Sequence, residues 1–278
     1  MSGKPRISVV TACLNNAATI EETLRSVLDQ GYPDLEYVIV DGGSQDGTLD
    51  VIRRYETRLA SWTSEPDLGH AHALNKGFTR TTGDVMGWLN ADDVLHHGAL
   101  RLLADVFGAF PDVEWLTAQP SHLSPDGAAV AAYPPRRWSR LGFLTGEHRY
   151  IQQESTFWRR SLWERSGARL EERYRLACDF ELWARLFRHA RLYSTWGVVG
   201  AFRFRPDQRS RTQQDQYEDE VREVVSEELR LLLQQGVPGP EDALWAPPPP
   251  LLAFDWLTLS YTREGSSIPD HDGALGKG

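Results

Sequence analysis

The chain has few cysteines and no long apolar run. Only two of its 278 residues are cysteine, Cys13 and Cys178, and their spacing fits neither a disulfide framework nor a zinc site. No apolar stretch approaches the roughly 20 residues that span a bilayer. The N-terminus also lacks the pattern of a signal peptide. We therefore expect a cytoplasmic protein, with peripheral membrane contact left open.

A basic surface is also missing. The chain has 30 Lys and Arg against 39 Asp and Glu, a formal net charge of -9, which argues against a general nucleic-acid binder. Its composition is otherwise ordinary for a globular enzyme, with 41% apolar and 25% charged residues. The length allows one large domain, or one domain with an appendage.

Strands and helices alternate along the first 115 residues. Apolar, β-branched runs predict strands at 6–13, 35–40, 58–64 and 85–89. Helical periodicity predicts helices that begin near Ile20, Leu49, His70 and Leu100. Thr19 and Glu22 have the spacing of a capping box. This alternation predicts an α/β fold with a mostly parallel central sheet flanked by helices.

The pattern loosens after residue 115. Residues 121–150 lack clean periodicity and predict a mobile loop region beside a site. Order is expected to return at 153–157 and 159–166, and further predicted elements are helices at 178–189 and 215–235 and a strand at 195–203. The segment 251–261, with Phe254 and Trp256, is expected to pack on its own domain, with docking on a membrane or partner as the alternative. The aromatic side chains Trp138, Trp158, Trp163 and Trp183 are expected in the core.

Two acidic turns follow predicted strands. Asp92 and Asp93 end the run from Met86, and Asp41 opens an Asp-Gly-Gly turn after the second strand. Strand ends in an open α/β sheet meet at one crevice, so these carboxylates are expected to lie close together. Such a group suits a divalent cation that carries a diphosphate. A solvated turn or a helix cap is the plainer alternative.

Several segments, in order, resemble a known family. They are 8–15, 40–48, 64–77, 83–93, 152–157 and 179–183. Over about residues 5–210 the chain resembles the family-2 inverting glycosyltransferases of the GT-A fold. The resemblance implies a Rossmann-like sheet, an acceptor-side subdomain and transfer of a sugar from a nucleoside-diphosphate sugar to an acceptor hydroxyl, in polysaccharide or glycoconjugate biosynthesis.

The resemblance also implies the domain organisation and the substrates. We expect a glycosyltransferase domain at 1–212, with a nucleotide-sugar half at 1–115 and an acceptor half at 116–212. A C-terminal helical extension at 213–264 and a disordered tail at 265–278 would follow. A UDP-sugar is the favoured donor, with GDP- and dTDP-sugars as alternatives. The acceptor would be a saccharide, a lipid-linked group or a protein.

Individual residues receive roles from the same resemblance. Asp179 matches the catalytic base, and Asp92 matches the aspartate that binds Mn²⁺ or Mg²⁺. Gln153 and Glu154 lie in an acceptor-side motif. The residues expected to bind the nucleotide sugar are Thr11, Ala12, Asn15, Asp41, Asn75, Lys76, Asn90, Ala91, Asp93 and Arg205.

Three positions depart from the family pattern. Asn90 replaces an aspartate, Cys178 stands where a glutamate often precedes the base, and Arg205 stands where many relatives have a metal-binding histidine. Arginine cannot ligate a metal but can bind a diphosphate, as Arg203 or Arg209 also could. Asn90 and Arg205 therefore put strict metal dependence in question.

Two other function classes stay open. A nucleotidyltransferase also places strand-end aspartates beside a nucleotide, although its Gly-rich, basic phosphate loop is missing from 11–16. The three departures also allow a non-catalytic nucleotide- or partner-binding protein with a degenerate GT-A fold. At the level of single residues, Asp93 and Asp179 could be helix N-caps and Lys76 a solvated lysine.

Overall fold

The computed structural model describes residues 4–147, 150–205, 208, 212–235, 246–256 and 258–264. The strands are β1 (Ile7–Cys13), β2 (Leu35–Asp41), β3 (Ser61–Ser64), β4 (Val85–Trp88), β5 (Val94–Leu95), β6 (Trp115–Thr117), β7 (Ser121–Leu123), β8 (Ala129–Ala132), β9 (Thr156–Arg159), β10 (Leu192–Ser194), β11 (Gly200–Arg203), β12 (Leu252–Asp255) and β13 (Ser260–Arg263). The helices are α1 (Ile20–Leu28), α2 (Thr48–Tyr55), α3 (His70–Phe78), α4 (Ala99–Ala109), α5 (Arg140–Thr145), α6 (Arg160–Arg165), α7 (Cys178–Phe187) and α8 (Gln214–Gln235).

A seven-stranded sheet forms the centre, in the order β10-β6-β9-β4-β1-β2-β3. Strand β1 pairs in parallel with β2 and β4, and β2 pairs in parallel with β3. Strand β9 is antiparallel to both β4 and β6. The carboxyl ends of β1 to β4 therefore meet at one edge. This is the α/β fold with a mostly parallel sheet that the sequence predicts.

Hydrophobic cores cover both faces of this sheet. Along β1, side chains alternate: Val10 joins the cluster under α3 and α7, whereas Val9 joins the cluster under α1, α2 and α4. Both residues are fully buried, as is usual for a parallel sheet covered on its two faces. The four tryptophans expected in the core are at most 5% exposed, which confirms that expectation.

The second half is more ordered than its sequence indicates. Residues 121–150, predicted as a loop region, contain β7, β8 and α5, and β7 belongs to a four-stranded sheet in the order β5-β11-β7-β8. These strands are only three or four residues long, too short to give a periodic signal. The strand predicted at 195–203 is also shorter. It begins at Gly200, because Trp196 and Gly197 turn after β10.

Two further differences concern the third strand and the C-terminus. Residues 56–58 form a 3-10 turn, so β3 begins at Ser61 rather than at 58. The extension predicted as helical contains α8 but also a hairpin of β12 and β13. Leu252 is fully buried in the main core, so the hairpin packs on its own domain as expected. The predicted tail, 265–278, lies outside the described residues, and the domain boundaries stay predictions.

Candidate active site

The crevice at the carboxyl ends of β1 to β4 is where the predicted donor residues gather. Its first two loops are held to each other by hydrogen bonds. The backbone N–H of Asn15 donates to Ser44 Oγ at 2.7 Å, and Asn15 Oδ1 accepts from the N–H of Gln45 at 2.9 Å. Asn15 has a φ of 55°, a left-handed conformation that asparagine adopts more readily than most residues. Asn15 therefore joins the two loops.

The two predicted residues on β1 lie within the sheet. Thr11 is fully buried, and its hydroxyl is 2.9 Å from the hydroxyl of Tyr37. Ala12 is buried on the opposite face, in the core that includes Val10. In this structure the side chain of Thr11 is thus occupied inside the protein.

Asp41 lies at the end of β2 and is fully buried. Its Oδ2 accepts hydrogen bonds from the N–H groups of Gly43 and Ser44 at 2.9 Å and from Ser64 Oγ at 2.7 Å. Its Oδ1 accepts from Ser44 Oγ and, at 3.6 Å, from Cys13 Sγ. Burial opposes ionisation, but these hydrogen bonds outweigh it and hold the pKa of Asp41 below its ordinary value. Asp41 therefore builds the Asp-Gly-Gly turn with both oxygens engaged.

Helix α3 contributes the next two predicted residues. Asn75 binds the segment before α7: its Nδ2 donates to Leu170 O at 3.0 Å and its Oδ1 accepts from Leu170 N at 2.8 Å. Both polar atoms of its side-chain amide are therefore hydrogen-bonded within the protein. Lys76 Nζ lies 2.5 Å from Glu65 Oε1, in the loop after β3, with 22% of its side chain exposed. Lys76 therefore lies at the crevice, whereas Asn75 is hydrogen-bonded to the segment before α7.

The loop of residues 90–93 is fixed by other elements. Thr19 Oγ1 donates to Ala91 O at 2.8 Å and Thr23 Oγ1 donates to Asp93 O at 2.8 Å. The predicted capping box at α1 is thus wrong: Thr19 makes no side-chain cap and instead holds this loop. Ala91 itself is buried.

Asp93 points into the protein. Its Oδ1 accepts from the N–H of Arg203 at 2.8 Å and its Oδ2 accepts from Asn90 Nδ2 at 3.0 Å. Burial raises the pKa of Asp93 well above its ordinary value, and the negative charges of Glu154 and Asp92 raise it further. Asp93 therefore joins the loop to β11 in this structure.

Arg203 is a fully buried clamp on the same loop. Its Nε donates to Asp92 O at 2.7 Å and its Nη2 to Glu22 Oε2 at 2.6 Å. The side chain is 2% exposed. It is thus unavailable to a diphosphate, which corrects the alternative raised from the sequence. Arg209 lies outside the described residues.

Arg205, two residues further on, pairs with Asp92. Its Nη2 lies 3.3 Å from Asp92 Oδ2, and both side chains are partly exposed. Across the described ranges, no three His, Cys, Asp or Glu side chains gather as a metal site. Mg²⁺ and Mn²⁺ prefer several oxygen ligands, and here one carboxylate faces a guanidinium while Asp93 is engaged elsewhere. The described residues therefore do not form a metal site on their own.

Gln153 and Glu154 form a buried link between β4 and β11. Gln153 Nε2 donates to Trp88 O at 2.6 Å, and its buried Oε1 has no hydrogen-bond partner among the described residues. Glu154 accepts from Gln152 Nε2. Burial raises the pKa of Glu154 to about 7, although the hydrogen bond from Gln152 lowers it. The negative charges of Asp92 and Asp179 add to the rise.

Asp179 is the second residue of helix α7. Its Oδ1 accepts from the N–H of Phe180 at 2.7 Å, as an aspartate in a first helical turn can. Burial raises its pKa to about 6, and the Phe180 hydrogen bond only partly offsets that rise. A carboxylate with this pKa is ionised at neutral pH and basic enough to accept a proton.

The sequence reasoning missed two neighbours of Asp179, both on α8. Glu220 Oε2 accepts from the N–H groups of Leu176 and Ala177, each at 2.9 Å, just before α7 begins. Tyr217 packs against the core cluster that contains Cys178. The helix predicted at 215–235 has an apolar face that includes Tyr217. The sequence does not show which element packs against that face.

Comparison with known proteins agrees with this geometry. Residues 8–205 match the family model described as glycosyl transferase family 2. TuaG of Bacillus subtilis (strain 168), a glycosyltransferase named for teichuronic acid biosynthesis, is 41% identical over 93 residues, or 32% of this chain and 37% of TuaG. The PGL/p-HBAD biosynthesis glycosyltransferase of Mycobacterium bovis is 30% identical over 202 residues, or 69% of this chain and 73% of that one. The chain thus spans little more than a third of TuaG.

Solved structures share the fold. Residues 1–349 of TarS from S. aureus, in complex with UDP-GlcNAc, superpose with a TM-score of 0.65 at 18% identity, over 80% of this chain and 66% of that one. The mannosyltransferase PcManGT from Pyrobaculum calidifontis, in complex with GDP-Man and Mn²⁺, gives 0.55 at 23% identity, over 72% and 57%. Among the described residues, no helix is long and apolar enough to cross a membrane. Because the family model matches most of this chain, the chain belongs to glycosyl transferase family 2. It has the GT-A fold, as its sequence predicts.

Proposed function

We propose that this chain transfers a sugar from a nucleoside-diphosphate sugar to an acceptor hydroxyl, with inversion, in polysaccharide or glycoconjugate biosynthesis. Membership of the family supports glycosyl transfer. One observation supports the arrangement of the site: the charges of both Asp92 and Asp179 raise the pKa of Glu154. The loop assigned to the donor and the carboxylate assigned as base therefore both lie within electrostatic range of Glu154, which is consistent with the placement that an in-line displacement needs.

In this proposal the acceptor oxygen attacks the anomeric carbon while its proton moves to Asp179. The bond between that carbon and the diphosphate oxygen breaks, and its electron pair leaves with the nucleoside diphosphate. The pKa of about 6 supports Asp179 as the base, because the group is ionised at neutral pH. Glu154, mostly protonated below pH 7, would border the acceptor without competing for this proton.

Positive charge for the leaving diphosphate would come from Arg205 and Lys76. Both lie at the crevice, and each now pairs with an acid, Asp92 and Glu65 respectively. A diphosphate offers a stronger partner than a single carboxylate, because it carries more negative charge and a guanidinium binds its oxygens through two parallel hydrogen bonds. Since the residues present do not fit a metal on their own, Mn²⁺ or Mg²⁺ would have to enter together with the diphosphate.

A UDP-sugar is the donor we favour, since TarS was solved with UDP-GlcNAc. PcManGT was solved with GDP-Man, which keeps a GDP-sugar as the alternative. The acceptor class is a saccharide, a lipid-linked group or a protein. Assembly of a surface polysaccharide is consistent with the name of TuaG.

The test combines nucleotide binding with turnover. Calorimetry with UDP, GDP and dTDP should find one diphosphate bound in preference, and the matching sugar nucleotides should release that diphosphate. Release of pyrophosphate from a sugar 1-phosphate and a nucleoside triphosphate would instead identify a nucleotidyltransferase. Binding without turnover of any sugar nucleotide would contradict the proposal and favour a non-catalytic protein.

A further inference from the structure

Helix α8 lies beyond the residues matched by the family model, yet it contacts the start of α7 directly. The carboxylate of Glu220 accepts two backbone hydrogen bonds, from Leu176 and Ala177, at 2.9 Å each. Asp179 follows within two residues. Helix α8 is therefore hydrogen-bonded to the segment that directly precedes the candidate base.

Tyr217 lies one turn before Glu220 on the same helix. Its ring packs against the core cluster that includes Cys178. Burial raises the pKa of the Tyr217 hydroxyl, and the charge of Asp179 raises it further. The hydroxyl is therefore a neutral hydrogen-bond donor near Asp179 at any ordinary pH.

Tyr150 stacks on Tyr217 from the solvent side. The ring centroids are 6.2 Å apart and the planes are inclined by 21°. The Tyr150 hydroxyl donates to Glu218 Oε1 at 3.4 Å, while 65% of the residue remains exposed. The result is a flat aromatic face with hydroxyl and carboxylate groups along its rim.

We propose that Tyr150, Tyr217 and Glu218 form an acceptor subsite that binds a sugar ring, so that the acceptor is a saccharide. A sugar ring has an apolar C–H face that packs on an aromatic plane and a rim of hydroxyls that needs hydrogen-bond partners. Tyrosine suits both, because its body is apolar and its tip is polar. This inference rests on the proposed function, since it takes Asp179 as the base.

The test measures saccharide binding separately from nucleotide binding. Saturation-transfer NMR would record binding of methyl glycosides and disaccharides of glucose, N-acetylglucosamine, galactose and mannose to the full chain, with UDP present. Tyr150→Ala should weaken the preferred saccharide about tenfold, the loss of one aromatic contact. Tyr150→Phe should keep most of the affinity. Trp256→Ala is the matched control, because Trp256 is 80% exposed on the distant C-terminal hairpin.

UDP affinity, measured by calorimetry, reports whether each variant keeps an intact donor half. A saccharide affinity that Tyr150→Ala leaves unchanged would overturn the subsite, as would a wild-type protein that binds UDP but none of these sugars. A wild type that binds saccharides through Tyr150 but turns over no sugar nucleotide would retain the subsite and reject the proposed transferase. The two failures are thus distinguishable.

Discussion

The predicted donor half and the predicted acceptor half of this protein are assembled differently. In the donor half, the loops after β1 and β2 bind each other through residues about thirty positions apart, and each loop is one contiguous motif. In the acceptor half, Asp179 has neighbours from two separated segments: Glu154, and Glu220 with Tyr217 on α8. Contiguous motifs are visible in a sequence, whereas a site assembled from distant helices is visible only after folding.

The largest effect should come from the acceptor half. Asp179→Asn removes the proposed base but keeps an acceptor for the Phe180 N–H, so the helix start should survive. We expect kcat to fall about a thousandfold, with UDP affinity within about threefold. Steady-state kinetics and calorimetry measure the two quantities. Asp219→Asn, at an exposed position of α8, serves as the control. An unchanged kcat in Asp179→Asn would remove the base assignment and with it the contrast between the halves.

A pair of neighbouring arginines tests how the donor half is held together. Arg203 is buried and clamps the loop of Asp92, whereas Arg205 is partly exposed. Arg203→Ala should lower the free energy of unfolding by about 3 kcal/mol, because it leaves Asp92 O and Pro125 O without a donor. Arg205→Ala should cost less than about 1 kcal/mol. Urea unfolding compares the two. Equal losses would mean that Arg203 is no more structural than Arg205.

The sequence predicts the fold well where its periodicity is long. Strands of seven residues such as β1 and β2 give a clear signal, and the helices between them fix a parallel sheet. The short strands β7 and β8 give none, because three or four residues do not establish a period. The place of β7 is decided by its pairing with β11, which lies some eighty residues away, and β8 pairs with β7.

For the site, the sequence locates residues better than it assigns their partners. Asp41 ends β2 as predicted, whereas Asp92 and Asp93 lie in the loop after β4, which ends at Trp88. What distinguishes them is tertiary: five donors surround Asp41, Arg205 pairs with Asp92, and Asp93 is buried against β11. No spacing rule contains that information, because each partner comes from another element. Their functional roles stay predictions.

The pH dependence of transfer tests the electrostatics of the acceptor half. Since burial raises the pKa of Asp179 to about 6, the base is protonated below that pH. We expect kcat/KM to rise about tenfold per pH unit up to pH 6 and to level off above it. Glu154, with a pKa of about 7, is still protonated when Asp179 titrates, so Glu154→Gln should leave the acid limb in place. A limb that disappears in Glu154→Gln would assign it to Glu154.

The smallest expected effect is on UDP affinity. It tests whether Arg205 takes the place of a metal ion beside Asp92. In the wild type, the guanidinium faces Asp92, where a cation would otherwise bind. We expect Mn²⁺ or a chelator to change UDP affinity by less than about threefold in the wild type. In Arg205→Ala, Asp92 no longer faces the Arg205 guanidinium, so Mn²⁺ should improve UDP affinity about fivefold or more. Arg205→Lys keeps the charge without the bidentate geometry and should lie between the two. Strong Mn²⁺ dependence already present in the wild type, and unaltered by Arg205→Ala, would mean that the ion displaces Arg205 readily. The donor half would then be completed by its ligand, as the acceptor half is completed by α8.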